Sequence, residues 1–369
     1  MTKTILRRGA SRRSILQQFG AAAVGISLAP ALEACSRGGG GSGGRVVNFY
    51  NWDTYIGETT LADFQHATSV PVHMTLFASN DELFARLRAG NPGYDVVVPS
   101  NEYVTRMAQA QMIQALDHSK IPNMRNIIQQ PEFTNPDFDP GRRFSVPYTW
   151  LDIGIGYRKS RMPRNFVPDS WRYLLDSAQF TQKIAVLGES ADLIRIAAKY
   201  KGHSVNAIPE PLLAEIEQML IRQKPHIKRF HSDDGQDMLV SGEVDLVMEY
   251  NGDIAQVMRE NNDIGWVMPR EGSLKNSDCL CIPSGAPHAD DAHAFINYIL
   301  DGEAGAKIAQ TIQYATPNQA ARDLMPDAYK NNTIVYPPPE EMARLEYGKF
   351  EGDEVYRRYE EIFTRISAA

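Results

Sequence analysis

The sequence contains few cysteines, and its main body has no apolar segment long enough to cross a membrane. Three cysteines occur in 369 residues, so we expect no disulfide framework. Beyond the first 44 residues, no apolar run approaches the 18 or more residues that a membrane helix requires. The main body of the chain is therefore predicted to be soluble.

Basic residues are fewer than acidic residues, with 38 Lys and Arg against 45 Asp and Glu. The formal net charge is -7, and loss of the basic N-terminal segment discussed below makes the remaining chain more acidic. Because a nucleic-acid-binding protein carries a basic patch, we predict no nucleic-acid partner. The hydrophobic content of 43% and the charged content of 22% are typical of a globular protein. About 325 residues follow the N-terminal segment, a length that corresponds to two domains.

Two of the cysteines lie two residues apart, in Asp278-Cys279-Leu280-Cys281-Ile282, a sequence typical of a strand. Alternation along a strand places both thiols on one face, where they are poorly placed to bond to each other. We interpret them as inert, buried thiols. A metal site would need further Cys or His residues nearby, so we predict neither a metal nor another cofactor.

The N-terminus has the composition of an export signal. The pair Arg12-Arg13 precedes a weakly apolar segment, residues 19–32, which is rich in Ala and Gly. Paired arginines before such a segment indicate export by the twin-arginine route. We therefore predict a signal peptide over residues 1–34, and a location in the periplasm or at the outer face of the cytoplasmic membrane.

The signal ends in Leu32-Glu33-Ala34-Cys35, which resembles the lipobox of bacterial lipoproteins and predicts acylation of Cys35. Residues 38–44 are Gly with one Ser, a flexible composition, so residues 35–44 are predicted to tether the body to a lipid anchor. Glu33 replaces the small or apolar residue usual in a lipobox. Plain cleavage after Ala34, which gives a freely soluble exported protein, is the alternative.

The body alternates short apolar runs with helical patterns, which favours an α/β fold with a mostly parallel sheet and helices on both faces. Two α/β segments, each with its own strands, predict two lobes with a ligand cleft between them. In the first segment we predict strands at 46–50, 70–76 and 94–99 and helices at 58–67, 80–89 and 103–110. In the second we predict strand-like runs at 144–148, 153–157, 183–187, 244–250, 264–268 and 278–282 and helices at 170–175, 192–200, 211–222, 290–300 and 304–312.

The stretch Asn51-Trp52-Asp53-Thr54-Tyr55 follows the first predicted strand. In open α/β sheets, ligands bind beyond the carboxyl ends of the strands. Its two aromatic rings are suited to cover methylene groups or face a cation, and its carboxylate is suited to neutralise a positive charge. The alternative interpretation is that Trp52 and Tyr55 are core residues and that Asp53 caps a helix.

Several stretches together resemble the periplasmic spermidine/putrescine-binding proteins of bacterial ABC importers, and the resemblance extends from residue 46 to the C-terminus. These stretches are Phe49-Tyr50-Asn51-Trp52, Tyr94-Asp95-Val96-Val97-Val98-Pro99-Ser100, Ser145-Val146-Pro147-Tyr148, Gly242-Glu243-Val244, Tyr250-Asn251-Gly252 and Thr311-Ile312-Gln313-Tyr314-Ala315-Thr316-Pro317-Asn318. Each is a weak signal alone, but their order along one chain is typical of the family.

The resemblance implies a type II periplasmic-binding-protein fold, in which each of two lobes is a mixed sheet flanked by helices. It implies that residues 45–147 and 277–317 form lobe 1, and that residues 148–276 and 318–369 form lobe 2. It also implies a monomer that closes on a polyamine by a hinge and delivers it to an inner-membrane ABC permease. The lipid anchor would be its only attachment to the membrane.

A polyamine carries several ammonium groups separated by methylene chains. Each buried ammonium needs a carboxylate or several acceptors, and the methylenes need flat apolar walls. The resemblance implies that ten residues form such a ligand-binding site in the cleft. They are Trp52, Asp53, Tyr55, Ser100, Glu102, Glu189, Asp192, Tyr250, Asp278 and Tyr314. For Glu189 and Asp192, three apart at a helix start, stabilisation of the helix dipole is the alternative role.

The sequence departs from the family pattern at three positions. Glu102 stands where some members have an aromatic residue, and it would either pair with a ligand charge or lie in solvent. Asn276 stands where the family usually has Trp or Phe, so a cation–π wall is missing there. Gly348 falls where some members have Gln. The retained acids predict a cationic amine ligand, spermidine or putrescine without a preference.

Three other classes of function are alternatives to polyamine import. An exported enzyme could use paired carboxylates, but the sequence shows no nucleophile elbow, metal-ligand His pair or Ser/His/Asp set. A binding protein for another cationic small molecule, such as a guanidinium compound, is the second alternative. A tethered lipoprotein that senses a polyamine without importing it would have the same site.

Overall fold

A ten-stranded mixed sheet runs through the computed structural model, which describes residues 44–232 and 234–369. The path of neighbouring strands is β2-β1-β3-β9-β4-β7-β5-β6, with β10 paired to β9 and β8 paired to β4. The strands are β1 Val47–Asn51, β2 Val72–Leu76, β3 Val96–Val97, β4 Ser145–Arg158, β5 Ile184–Leu187, β6 Ile227–His231, β7 Leu246–Tyr250, β8 Ile264–Val267, β9 Ser273–Cys281 and β10 Leu345–Tyr347.

Helices surround the sheet. The first eight are α1 Thr60–Thr68, α2 Asn80–Arg88, α3 Asn101–Gln109, α4 Pro131–Thr134, α5 Arg172–Leu175, α6 Ser190–Tyr200, α7 Glu210–Gln223 and α8 Gly235–Ser241. The next seven are α9 Asn251–Met258, α10 Ala289–Ile299, α11 Gly302–Ile312, α12 Gln319–Leu324, α13 Asp327–Lys330, α14 Pro339–Met342 and α15 Asp353–Ala368. None of the helices within residues 44–232 and 234–369 is long and apolar enough to cross a membrane.

Two sets of parallel strands lie on either side of a shared antiparallel pair. On one side β1 pairs in parallel with β2 and β3, and on the other side β5 pairs in parallel with β6 and β7. The long strands β4 and β9 run antiparallel between them. Within each set, the carboxyl ends of the parallel strands therefore meet at one edge, which is where α/β folds place ligands.

Strand β4 corrects the prediction of two separate runs at 144–148 and 153–157. The structure has one strand, Ser145–Arg158. Strand β9 likewise begins at Ser273, five residues before the predicted start. Both strands are buried on both faces over the region where they pair, so neither shows the alternation of polar and apolar residues that marks a half-exposed strand.

Shorter elements differ from the predictions as well. The predicted strand at 94–99 contains only the two strand residues of β3, Val96–Val97. Strand β6 and helices α8 and α9 were not predicted. In contrast, the sequence predicts Ser79 or Asn80 as the cap of the helix at 80–89, and Ser79 is the cap, because its side chain accepts a hydrogen bond from the Glu82 amide. Local cap chemistry was therefore visible in the sequence, whereas short buried strands were not.

The C-terminal third packs in two places. Met325, Tyr329 and Val335 join the core cluster that contains Phe49 and Phe295, whereas α15 packs against α6 and α7. The sequence-based division placed residues 318–369 entirely in lobe 2, and the lobe boundaries stay a prediction. The predicted signal peptide at 1–34, the predicted acylation site Cys35 and the predicted tether up to residue 43 lie outside the described residues.

Cys279 and Cys281 are both free and fully buried. Burial raises the pKa of the Cys279 thiol, and an Arg142 guanidinium nearby opposes that rise. A buried thiol with a raised pKa is a poor nucleophile, so the interpretation of both thiols as inert core residues agrees with their burial.

Candidate functional site

The candidate residues lie beyond the ends of parallel strands from both sets. Trp52, Asp53 and Tyr55 follow β1, and Ser100 follows β3. From the other set, Tyr250 is the last residue of β7. Glu189 and Asp192 follow β5, at the beginning of α6. The strand-end rule therefore accounts for residues drawn from four separate parts of the chain.

Asp278, on β9, has both carboxylate oxygens held by neighbouring side chains. The Tyr55 hydroxyl donates to Oδ2 at 2.8 Å, and the Ser100 hydroxyl donates to Oδ1 at 2.7 Å. Tyr55 also makes a short hydrogen bond to the Thr149 hydroxyl. These bonds fix the orientation of a carboxylate that is only 5% exposed.

Aromatic rings surround this carboxylate. The Tyr55 and Tyr314 rings meet edge to face, with centroids 5.0 Å apart. The Trp52 indole is half-buried and donates through Nε1 to the Val98 carbonyl at 2.9 Å. Gly252 allows the Tyr314 ring to approach α9, because a Cβ at that position would lie 2.4 Å from the ring. The rings are therefore held in place before any ligand contacts them.

A narrow cavity lies between these residues. Its volume is about 30 Å³, enough for one or two waters. Seven of the ten residues predicted for the site line it, together with Leu151, Asp253 and Asn276. The full lining is Trp52, Asp53, Tyr55, Ser100, Leu151, Tyr250, Asp253, Asn276, Asp278 and Tyr314.

Asp253 lines the cavity but was not predicted from the sequence. It lies in the first turn of α9, three residues after Tyr250, and is 5% exposed. Its sequence signal was available, because the stretch Tyr250-Asn251-Gly252-Asp253 follows a predicted strand. An acid in a first helical turn is common for reasons of helix stability alone, so the signal was weak.

Asn276 supplies an acceptor at the position where the family pattern usually has an aromatic residue. Its side chain is 4% exposed, and its Oδ1 has no hydrogen-bond partner within the described part of the chain. A buried carbonyl oxygen without a partner is unfavourable by about 1–3 kcal/mol. Because it lines the cavity, a donor bound there would relieve this cost.

The buried carboxyls of the site hold protons more tightly than ordinary carboxyls do. Burial raises the pKa of Asp278 from 3.8 to about 6, against the hydrogen bonds from Ser100 and Tyr55. Burial raises the pKa of Asp253 to about 7, opposed by a hydrogen bond from Tyr314. Burial and the Glu102 charge raise the pKa of Asp192 to about 7, and Arg195 opposes them. Each carboxylate would be stabilised by a cation.

Glu189 and Asp192 lie next to the cavity rather than on its lining. Asp192 accepts a hydrogen bond from the Tyr250 hydroxyl at 3.1 Å. Glu189 accepts from the Asn80 amide at 3.0 Å, and burial, followed by the charge of Asp81, raises its pKa well above the ordinary value. Both acids are buried, and burial favours their protonated forms unless a cation lies nearby.

Glu102 differs most from its predicted placement. It was expected to meet a ligand charge or solvent, but it is 3% exposed and is absent from the cavity lining. Its carboxylate forms short hydrogen bonds with the Arg195 guanidinium and the Tyr356 hydroxyl. The partner is a cation of the protein itself, 93 positions away in sequence, which no local pattern reveals.

Within the part of the chain that the structure describes, no group of three or more His, Cys, Asp or Glu residues is arranged to hold a metal ion.

Comparison with known proteins gives relatives over nearly the whole chain. The spermidine/putrescine-binding periplasmic protein of Salmonella typhimurium is 31% identical over 351 residues, which cover 95% of this chain and 96% of the relative. The putrescine-binding periplasmic protein SpuD of Pseudomonas aeruginosa is 30% identical over 346 residues, covering 90% and 93%.

Solved structures agree with the fold. A putative spermidine/putrescine ABC transporter from Listeria monocytogenes superposes with a TM-score of 0.82 at 28% identity, covering 88% of this chain and 99% of that one. The Tp0655 (TpPotD) lipoprotein of Treponema pallidum gives a TM-score of 0.75 at 26% identity, covering 88% and 100%. The prediction of a type II periplasmic-binding-protein fold is confirmed.

The family model that matches this sequence spans residues 59–337 and describes the bacterial extracellular solute-binding proteins. The match covers more than half of the chain, and it includes most of the residues that line the cavity. The chain belongs to the bacterial extracellular solute-binding protein family.

Proposed function

We propose that this protein is the extracytoplasmic solute-binding component of an ABC importer and that it binds a polyamine, spermidine or putrescine, in the cavity described above. Its relatives are named for binding these amines. The ligand would be taken up outside the cytoplasm and delivered to a permease of the inner membrane. The protein would not be an enzyme, since this role requires binding and release without chemical change.

The observation that carries the proposal is the unbalanced negative charge of the cavity. Asp53, Asp253 and Asp278 line it, and Asn276 adds an acceptor without a partner. No lysine or arginine is among the residues that line this cavity. A buried carboxylate without a cation is unfavourable, so a dication supplied by a ligand is the complementary guest.

The residues that line the cavity would have to move apart to admit a molecule larger than two waters, and their side chains would then suit the remainder of an alkyl amine. In the proposed complex, one ammonium group pairs with Asp278 and donates to Asn276, and a second lies near Asp253 or Asp192. The methylene chain between them would lie against the rings of Tyr55 and Tyr314, and cation–π contact would contribute on the order of 1–2 kcal/mol. This arrangement gives each part of the ligand a partner of matching chemistry.

Closure would couple ligand capture to transport. A ligand that contacts residues of both strand sets favours the closed form by the contacts that only this form provides. The permease could then recognise the closed shape. A binding protein for another cationic small molecule, or a lipoprotein that only senses the amine, would share the same site and is the alternative proposal.

Calorimetric titration of the purified protein with a panel of amines tests the proposal. We expect 1:1 binding of putrescine or spermidine with a Kd of about 1 µM or below, corresponding to about -8 kcal/mol or better. Acetylated amines, which have lost one positive charge, serve as matched controls and should bind more weakly. Absence of heat and of a melting shift with every polyamine would contradict the proposal, and a chemically altered amine would instead indicate an enzyme.

We also propose export by the twin-arginine route and acylation of Cys35, with residues 35–44 as the tether. We expect mass spectrometry of the native protein to find an N-terminus at Cys35 that carries lipid. The exchange Cys35→Ala serves as a control that should release the protein from the membrane fraction. A chain that begins with an unmodified Cys35, or later, would contradict the lipid anchor and favour plain cleavage.

A further inference from the structure

The serine that begins α3 does not cap its own helix. Ser100 is the N-cap residue of α3, but its side chain makes no capping hydrogen bond. An N-cap serine normally accepts from an amide in the first turn of its helix. The Ser100 hydroxyl instead donates to the Asp278 carboxylate at 2.7 Å, and residues 100 and 278 also form an isolated antiparallel bridge. The direction of this hydroxyl is therefore set by contacts outside α3.

Asn80, the first residue of α2, makes two hydrogen bonds to Ser100. The Asn80 Oδ1 accepts from the Ser100 backbone amide at 3.1 Å, and the Asn80 Nδ2 donates to the Ser100 hydroxyl at 3.1 Å. A backbone N–H can only donate, so it determines which end of the Asn80 amide is the oxygen. The Nδ2 group must then face the Ser100 hydroxyl.

This arrangement directs the proton of the Ser100 hydroxyl. A serine hydroxyl has a single O–H to donate, and Asn80 approaches its oxygen as a donor. The proton is therefore directed to Asp278. An ionised acceptor makes a stronger hydrogen bond than a neutral one, so Asn80, acting through Ser100, favours the ionised form of Asp278. Burial raises the pKa of Asp278, and the hydrogen bond from Ser100 opposes that rise.

The Asn80 side chain is available for this role because its neighbour caps α2. The Ser79 side chain accepts from the Glu82 amide, and the Asn80 backbone amide donates to Glu189 at 3.0 Å. Asn80 and Ser100 are both 7% exposed. Asn80 is absent from the cavity lining, whereas Ser100 belongs to it. Asn80 would therefore act on a ligand only through other residues.

We propose that Asn80 is a positioning residue of the amine site. Its side chain directs the Ser100 hydroxyl to Asp278, and this favours a carboxylate that is ionised and oriented to accept a ligand cation. The inference rests on the proposed function, because it assigns Asn80 a role in preparing the carboxylate that the amine is proposed to meet.

Other titratable groups near Asp278 interact with its charge. Burial is the main cause that raises the pKa of each of them, and the charge of Asp278 contributes. They are Tyr55, Tyr148, Asp192, Tyr250, Asp253 and Cys279. A substitution that changes the ionisation of Asp278 will shift these groups as well, so a test must observe Asp278 itself.

Asn80→Ala removes the side-chain amide and keeps the backbone amide that donates to Glu189. We expect the pKa of Asp278 in the protein without amine to rise by about 0.5 to 1, because the Ser100 hydroxyl is free to turn to other acceptors. The measurement is the pH dependence of the NMR chemical shift of the carboxyl carbon, with Asp278→Asn to assign the signal. Ser100→Ala should raise the pKa at least as much. An unchanged pKa in Asn80→Ala would overturn the inference, whether or not the protein binds an amine.

Putrescine titration at pH 6 and pH 8 shows whether the effect passes through the Ser100 hydroxyl. At pH 6 we expect Asn80→Ala to weaken binding about three- to fivefold in the wild-type protein and less than about twofold in Ser100→Ala, because the hydroxyl is already gone. The loss should shrink at pH 8, where Asp278 is ionised in either case. An equal loss in both backgrounds and at both pH values would indicate a merely structural role and overturn the inference. If the wild-type protein binds no amine, the proposed function fails, and the pKa of Asp278 still decides whether Asn80 positions this carboxylate.

Asn91→Ala is the matched control. The Asn91 Oδ1 accepts from the Gly93 and Tyr94 amides, and its Nδ2 donates to the Tyr94 carbonyl. Asn91 is absent from the cavity lining. Its replacement should lower the stability of the protein but leave the pKa of Asp278 and the affinity for putrescine unchanged. If Asn80→Ala does not fold, Asn80→Ser, whose side chain is shorter and lacks the amide, takes its place in each measurement with the same expected results.

Discussion

Asparagine in place of Asp278 is expected to weaken amine binding by more than about 100-fold. Removal of one partner from a buried ion pair typically costs about 3–5 kcal/mol, because the remaining charge stays buried and unpaired. Asn keeps the size of the side chain and an oxygen that can accept from Tyr55 or Ser100, which hold Asp278 in the wild-type protein. The measurement is calorimetric titration with putrescine.

The same exchange should stabilise the protein when no amine is bound. Burial raises the pKa of Asp278 from 3.8 to about 6, so at pH 7 the folded protein holds an ionised carboxylate in an unfavourable environment. The difference corresponds to about 3 kcal/mol at most, at about 1.4 kcal/mol per pH unit. We therefore expect a higher melting temperature for Asp278→Asn without amine, and a much smaller rise on adding amine.

Asp327→Asn is the control, because that side chain is 87% exposed and is absent from the cavity lining. It should leave both the affinity and the melting temperature close to those of the wild-type protein. Unchanged putrescine affinity in Asp278→Asn would mean that the ligand does not pair with this carboxylate, whatever happens to stability. Loss of binding together with a lower melting temperature would indicate damage to the fold instead.

A site residue could be predicted from the sequence alone where it directly follows a strand that the sequence also predicts. Trp52, Asp53 and Tyr55 come after β1, so local pattern and strand-end chemistry suffice to propose them. Asp278 is different, because it lies within a fully buried strand. Only the family resemblance singled it out, and hydrogen bonds from two distant segments now account for its place.

The remaining features depend on contacts between residues far apart in the chain. Glu102 and Arg195 are 93 positions apart, and each alone resembles an ordinary charged residue of a helix. Only their pairing shows that an acid expected to face the ligand is already neutralised. Strand β4 was predicted as two runs for a related reason, because its burial depends on β9, more than 100 residues later. The local periodicity of a sequence does not indicate which distant residues a strand or side chain will contact.

The raised pKa values of the carboxyls in the cavity and next to it predict that amine binding strengthens steeply with pH and releases protons. The pKa is raised by burial to about 7 for Asp192, to about 7 for Asp253 and to about 6 for Asp278. Near pH 5 these groups are mostly protonated, whereas alkyl ammonium groups stay charged up to about pH 10. Binding a dication at low pH therefore requires that carboxyls first lose their protons.

For two carboxyls with these pKa values, we expect putrescine affinity to rise by at least about 100-fold between pH 5 and pH 8. Titrations at pH 6 in two buffers of different ionisation enthalpy should show the release of more than one proton per amine bound. Asp192→Asn should reduce the number of protons released, because one titrating group is gone. Asp327→Asn, which alters an exposed carboxyl, should leave it unchanged.

Stability without amine should have the opposite dependence on pH. A carboxyl whose pKa is higher in the folded than in the unfolded protein keeps more protons when folded, so the free energy of unfolding falls as pH rises between the two pKa values. For these groups the interval runs from about pH 4 to about pH 7. Excess putrescine should remove most of the decline, since the cation stabilises the ionised carboxyls in the folded state. An affinity that is flat from pH 5 to pH 8, with no protons released, would show that the cavity acids are already ionised and that their negative charge is balanced within the protein.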